Sequence, residues 1–426
     1  MAARKSRTKM LVDFIKMFIT QSSIHGLPHI TAQKRHPVEI VIWVTLVTAA
    51  VYGAFVLSSM TLRRYIENPT VISVERDRFS WNTTFPAATI CPSYKVNEEL
   101  LEEFVTRSTE ENKTLLREFL VTLASATYTN FETVVPYDGI TEEQYLDILM
   151  DLQFVFKPTV SNSGNNNKNY SLQSIVSEMG LCYSFNSQLA IYNSPDYWDE
   201  GKWNLIEGED IFSVNPLDGE VFANVMNMAT GFDIYIHGPY EVADIASKKI
   251  SSPDGYFLQI YLSGLTIFSS DNIKSLRISQ RKCRFHDESD LNHSPAYSYV
   301  LCRMECRAAL AKRLCGCVPH FYRKLGKIKK KLIRPKFIDL PEGMKICNVP
   351  GLHCLAKHKE KLILMKGECS CLPNCNEVNY IVEDMDTREW FLGSNLQWGL
   401  KEYPKMRLRR DIIFGFSDLL GLRCFS

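Results

Sequence analysis

The sequence has almost no excess charge of either sign: 49 Lys and Arg stand against 48 Asp and Glu, a net of +1 over 426 residues. That balance excludes a nucleic-acid surface built on bulk charge, and equally an acidic, disordered solubiliser. No internal repeat is visible, and no two cysteines have the C-x2-C spacing of a zinc knuckle. What is present is ample core material, with 45% hydrophobic and 11% aromatic residues, in a chain long enough for two or three domains. Thirteen cysteines are the unusual component; twelve lie between Cys91 and Cys375, and Cys424 stands apart near the end.

From Ile40 to Leu62 no residue is charged. A helix of that length reaches about 35 Å and crosses a hydrocarbon core of about 30 Å. A buried soluble helix is the weaker reading, because such helices seldom stay uncharged on every face for so many turns. A cleaved signal peptide would have a shorter apolar stretch nearer the first residue. Arg4, Lys5, Arg7, Lys9, Lys16, Lys34 and Arg35 precede the span with only Asp13 and Glu39 as acids among them, which sets the N-terminus in the cytosol. Twelve cysteines after the span agree, since an even number can all pair in an oxidising compartment. Glycosylation acceptors at Asn82, Asn112 and Asn169 support the same side; Asn292 is weakened by the following Pro295.

Within this ectodomain, apolar residues three or four apart among charges predict amphipathic helix over residues 97–126 and again from Thr141 to Leu152. Ser161 to Asn169 reads as a polar loop. Phe232 to His237 and Tyr256 to Leu262, rich in β-branched and aromatic residues, read as strands. The basic run from Arg323 through Lys336 is expected to be a solvated loop.

The C-terminal cysteines mirror one another: Cys302-x3-Cys306 and Cys315-x-Cys317 are answered by Cys347, Cys354 and Cys369-x-Cys371-x3-Cys375. Two antiparallel segments joined by rungs fit this spacing, although twelve cysteines permit many connectivities. A zinc cluster using His320, His353 or His358 competes and is disfavoured, because thiolate zinc sites belong mostly to reducing compartments.

These stretches together resemble the degenerin/epithelial sodium channel family, and most its insect pickpocket branch. The resemblance runs in order through Ser22-Ser23-Ile24-His25-Gly26, Phe85-Pro86-Ala87-Ala88-Thr89-Ile90-Cys91-Pro92, Gly180-Leu181-Cys182-Tyr183-Ser184-Phe185-Asn186 and Gln280-Arg281-Lys282-Cys283-Arg284-Phe285. It continues through Cys315-Gly316-Cys317-Val318-Pro319-His320-Phe321-Tyr322 and Cys369-Ser370-Cys371-Leu372-Pro373-Asn374-Cys375. It implies an α+β membrane protein: transmembrane helix 1 at residues 38–62, a cytosolic N-terminus at 1–37, and a large disulfide-rich extracellular domain at 63–405. That domain would have a β-sheet palm, a helical finger at about 93–182 and a cysteine-rich thumb at about 283–375.

The disulfides implied by the resemblance are Cys91 with Cys182, Cys283 with Cys375, Cys302 with Cys371, Cys306 with Cys369, Cys315 with Cys354 and Cys317 with Cys347, leaving Cys424 alone. His25 and Gly26 would be the cytosolic gating element. The implied function is a subunit of an amiloride-sensitive, extracellularly gated sodium channel in the plasma membrane. Its implied partners are sodium ions, the lipid bilayer and other subunits of a homo- or heterotrimer; no nucleic acid, metal or cofactor is implied.

Residues 406–426 look like the approach to the family's second span. From Asp411 onward the sequence offers sixteen residues, broken by Asp418 and Arg423, and no Gly-x-Ser filter with an apolar run after it is expected among them. That length is too short and too charged to span, so conduction is expected to need a complete isoform or partner subunits. A non-conducting, regulatory single-pass protein is the alternative. A Golgi-type glycosyltransferase using Asp384-Met385-Asp386 is a distant rival, because no alternating strand-helix pattern precedes those acids.

Overall fold

The computed structural model describes residues 10, 14–23, 26–31, 36–77, 79–108, 112–154, 159–162, 171–199, 211–322 and 345–413. The chain divides into two compact units, Met1–Val71 with Ile412–Ser426, and Ile72–Asp411.

The first unit is dominated by one helix, Pro37–Glu67, of 31 residues. It starts where a proline can take the first helical position, with the Val38 N–H donating to His36 Nδ1 at 3.3 Å. Apolar on every face and with none of its residues buried, it is long and apolar enough to cross a membrane. Its three threonine hydroxyls are satisfied internally: Thr45, Thr48 and Thr61 donate to carbonyls one turn back at 2.8, 2.7 and 2.9 Å. That matters in lipid, where no water would take an unpaired donor.

The chain's strands are β1 (Thr70–Glu75), β2 (Thr83–Thr84), β3 (Ala87–Pro92), β4 (Thr159–Asn162), β5 (Gln173–Ser177), β6 (Gly180–Phe185), β7 (Ser213–Val214), β8 (Val221–Met228), β9 (Phe232–His237), β10 (Ile250–Ser252), β11 (Tyr256–Ser269), β12 (Glu377–Glu389), β13 (Ser394–Leu400) and β14 (Arg407–Ile412). A seven-stranded sheet runs β1-β14-β11-β13-β8-β4, with β12 on the other side of β11. β10-β9-β3-β6-β5 make a five-stranded sheet, and β2 pairs with β7. Strand β11 is the spine of the larger sheet. It runs antiparallel to β12 from Tyr256↔Glu389 to Ile267↔Glu377 and parallel to β13 over Phe257 to Leu262, then takes up β14 at Ile267↔Leu408.

Alternate residues of β11, Leu258, Ile260 and Leu262, are fully buried, and they share a core with Leu396, Trp398 and Leu400 of β13 and with Ile90, Phe185 and Ile234 of the smaller sheet. Trp398 is tied into place by its Nε1–H donating to the Pro86 carbonyl at 3.1 Å, and its ring meets Phe185 edge-on at 5.1 Å. The following Gly399 is obligatory, since a Cβ there would fall 2.1 Å from the Val221 carbonyl oxygen.

A second core lies among helices. Glu98–Arg107 and Lys113–Ala124 bury Leu101, Leu116, Phe119 and Leu123 in one cluster with Ala308 and Leu310 of the Tyr299–Cys315 helix and Leu352 of the Val349–Lys357 helix. Each helix has a side-chain cap: Asn97, Asn112, Ser298 and Asn348 accept from N–H groups two or three residues on.

Three sequence expectations change in detail. Residues 97–126 form two helices, because Asn112 starts a new cap rather than continuing the first. The segment from Thr141 opens with a 3-10 turn, Glu142–Gln144, before the Tyr145–Asp151 helix. Ser161 and Asn162 belong to β4 and pair with Asn224 and Ala223, so the polar stretch is not loop from its first residue. At the C-terminal end, Arg407–Ile412 is a strand, held in the ladder by β11.

Candidate functional site

The cysteine-rich segment is a nested stack of covalent rungs. Along the Tyr299–Cys315 helix, Cys302 and Cys306 lie one turn apart on a single face, and they join Cys371 and Cys369 with Cα separations of 5.8 and 6.1 Å. At the helix's last residue Cys315 joins Cys354 at 5.9 Å, and just beyond it Cys317 joins Cys347 at 4.9 Å; Cys283 and Cys375 close the base at 4.9 Å. As the first partner advances in sequence the second retreats, the order of an antiparallel pair. A sixth bond, Cys91 to Cys182, bridges neighbouring strands β3 and β6 at 4.4 Å. These are the pairs the family resemblance implies.

Ligand atoms of Cys315, Cys354 and His358 all lie within 4.8 Å of one another, but the two sulfurs are bonded together and offer no thiolate. His353 is committed elsewhere, its Nε2 pairing with the Val134 carbonyl at 2.9 Å, so the three histidines do not gather around these cysteines.

Where the stack meets the sheets and the finger-like helices, a network of charge is sealed from solvent. Arg307, next to Cys306, is 0% exposed and pairs with Glu178, also 0% exposed, in the turn between β5 and β6. Its other guanidinium nitrogen reaches Asp244 Oδ2 at 2.9 Å, and its Nε–H donates to the Leu362 carbonyl at 2.9 Å. Glu178 also accepts from the Tyr322 hydroxyl at 2.5 Å and from the Ile245 N–H at 3.1 Å. Tyr322 in turn shares a hydrogen bond of 3.0 Å with Tyr128, which follows the Lys113–Ala124 helix. Burial and the Glu178 charge both push the Tyr322 phenol well above its usual range, so it stays a donor. One arginine thus ties the disulfide-bearing helix to the β5–β6 turn, the 240–249 loop and the Lys359–Leu364 helix.

At the base of the stack, Asn374 donates to Glu241, and Ser269 of β11 donates from its hydroxyl to the Cys375 carbonyl at 2.7 Å. Burial pushes the Glu241 carboxyl up to about 7; hydrogen bonds from Ser298 and Asn374 offset this in part, and the Glu377 charge adds to it. Lower in the large sheet, Arg407 of β14 sits 4.6 Å from the Trp81 ring centre and 5.3 Å from that of Phe268, with its Nε 2.5 Å from Glu75. Cation–π contact and ion pair together fix β14 against β1.

Of the remaining sequence candidates, Gly26 is buried with φ +97°, and a Cβ there would lie 2.9 Å from Val47 Cγ2 of the long helix. Nearby, the His29 ring stacks on Trp43 at 4.5 Å. His25, Asn169, the basic run 323–336 and Cys424 lie outside the described residues. Asn82 is exposed; Asn112 is exposed and caps its helix through Oδ1, leaving Nδ2 available to a glycan. Asn292, by contrast, spends its Nδ2 on Glu305 at 2.9 Å. Asp384 and Asp386 lie on the exposed β12, where Asp386 is taken by Arg388 at 2.5 Å. A Gly-x-Ser triplet does occur ahead of Leu420, at Gly415-Phe416-Ser417, among residues outside the described ones.

Comparison with known proteins follows the same lines. A family model described as amiloride-sensitive sodium channel matches residues 18–422. Pickpocket protein 28 of Drosophila melanogaster is 22% identical over 85% of this chain and 63% of its own length. Sodium channel protein Nach of Drosophila melanogaster is 21% identical over 95% of this chain and 81% of its own. The bile acid-sensitive ion channel of Mus musculus is 25% identical over 72% and 60%. The chain therefore spans less than two thirds of the length of two of these three relatives.

Proposed function

Since the chain belongs to the amiloride-sensitive sodium channel family, we propose that it is a subunit of a sodium channel of the plasma membrane. It assembles with other subunits as a homo- or heterotrimer in the lipid bilayer, with its N-terminus cytosolic and residues 63–405 outside the cell. Sodium ions pass down their gradient when an extracellular stimulus moves the ectodomain, and amiloride blocks the current. His25 and Gly26 form the cytosolic gating element, and any second span starts beyond Ile412, where β14 ends.

The observation that carries this reading is the rigid nested stack beside the sheet that holds β14. Five bonds fix one helix and its return segment, so a displacement at the far end reaches Cys375, and through Ser269 reaches β11, without being absorbed by bending. Strand β11 is hydrogen-bonded to β14, the strand after which any second span would begin. Family membership displaces the transferase reading, because the family's members are channels.

Subunit counting tests the assembly. Fluorescently tagged chain at the cell surface, expressed alone or with an untagged relative, is expected to bleach in up to three steps per spot. Spots that bleach in one step under both conditions, with no relative co-purifying, would overturn the proposal.

A further inference from the structure

A small pocket lies between the Lys113–Ala124 and Tyr145–Asp151 helices, the β5–β6 turn and the segment after Cys317. Its walls include Leu146, Leu149, Leu181 and Phe321, and two nitrogen-bearing side chains, Lys95 and His320, face it as well. No carboxylate is among its lining residues. The Lys95 ammonium makes only long contacts, 3.4 Å to the Leu181 carbonyl and 4.0 Å to Cys182 Sγ. The carboxylate whose charge acts on it, Asp233, is already engaged by Lys249 at 3.1 Å and by Ser251 at 2.5 Å. His320 is 3% exposed and its Nδ1 has no hydrogen-bond partner.

We propose that this pocket is a binding site for a small monovalent anion of halide size, held between the Lys95 ammonium and a His320 N–H. A cation beside apolar walls with no counter-charge is costly, and an anion supplies that charge while satisfying the imidazole. A free volume of about 10 Å³ admits one particle about the size of a water molecule, which excludes a ligand with a tail. A water would complete the histidine but leave the lysine uncompensated. Burial pushes the Lys95 ammonium down to about 8, in keeping with a charge that lacks a fixed partner; a bound anion would raise it again. Because the pocket is walled by both the finger-like helices and the segment carrying Cys317, occupancy would brace one against the other.

The test is thermal unfolding of the purified full chain at constant ionic strength, with chloride or bromide replacing gluconate, an anion too large for the pocket. The expected result is a saturable rise in Tm of about 2 °C at ten times the Kd. The rise should vanish in Lys95→Met and persist in Lys95→Arg. If Lys95→Met does not fold, His320→Phe carries the test and is expected to lose the rise. Equal Tm in halide and gluconate, or a halide-dependent rise that survives Lys95→Met or His320→Phe, would overturn the site.

Discussion

Arg307 and Glu178 form an ion pair that is closed to solvent on both sides, and it joins the disulfide-bearing helix to the turn between β5 and β6. Neither charge has water to fall back on. Arg307→Met should therefore strand Glu178 and Asp244 and cost about 3–5 kcal/mol, while a paired Arg307→Met with Glu178→Gln should recover part of that loss. Chemical unfolding of the four members of the cycle measures it. Additive losses would show that the two side chains act independently.

The nesting of the rungs makes a different kind of prediction. An isolated bond closing the 69-residue separation of Cys302 and Cys371 would be worth about 4 kcal/mol in lost chain entropy. Here Cys306–Cys369 already closes nearly the same loop, so the extra constraint is that of a short loop and is worth about 2 kcal/mol. The double change Cys302→Ser with Cys371→Ser should lower stability by the smaller figure. A loss near the larger one would mean that the neighbouring rung is not formed.

Glycan occupancy should follow the availability of the amide nitrogen. Asn82→Gln and Asn112→Gln are each expected to remove one glycosidase-sensitive step in gel mobility, whereas Asn292→Gln should remove none, because that nitrogen is held by Glu305. A step lost on Asn292→Gln would show that the Glu305 contact is open in the secretory pathway. Asn112→Gln also removes a helix cap and should cost about 1 kcal/mol.

Glu241 gives the base of the stack a pH dependence whose sign is fixed by its burial. Its carboxyl is raised from the usual 4.5 to about 7, so the folded chain holds a proton that the unfolded chain has released across that interval. The stability from this group is fully present below about 4.5 and is lost as pH rises through about 7. Tm measured between pH 5 and 8 should fall with pH more steeply in the wild type than in Glu241→Gln. Identical slopes would show that Glu241 ionises freely in the native state.

Much of this architecture was legible in the sequence where a pattern is local. The uncharged run from Ile40 needs lipid, and the β-branched, aromatic stretches at Phe232 and Tyr256 need a sheet. The caps at Asn97 and Asn112 were equally readable as residue types, although only the second one reveals that the helix breaks. The buried network was not legible. Glu178, Asp244 and Arg307 are three among 97 charged residues, brought together across 63 to 129 positions with no shared spacing. The available signal was faint: Glu178 stands in a tight turn between two apolar strands, where a solvated acid would have no need of so buried a setting. The same holds for His320, whose place in a family-like stretch says nothing of its missing partner. The strand at Arg407–Ile412 was not legible, because its charges suit the approach to a span as well as they suit a strand pinned by Glu75 and Trp81.

The central claim, that this chain is a sodium channel subunit, is tested most directly by whole-cell recording. Cells expressing a conducting member of the same family would be compared with and without this chain, in sodium and with amiloride. The account expects an amiloride-sensitive inward sodium current whose size or gating is changed by the chain, and changed again by Gly26→Ala, which forces a Cβ against Val47. A current identical in every respect with and without the chain, although the chain is present at the surface, would contradict it.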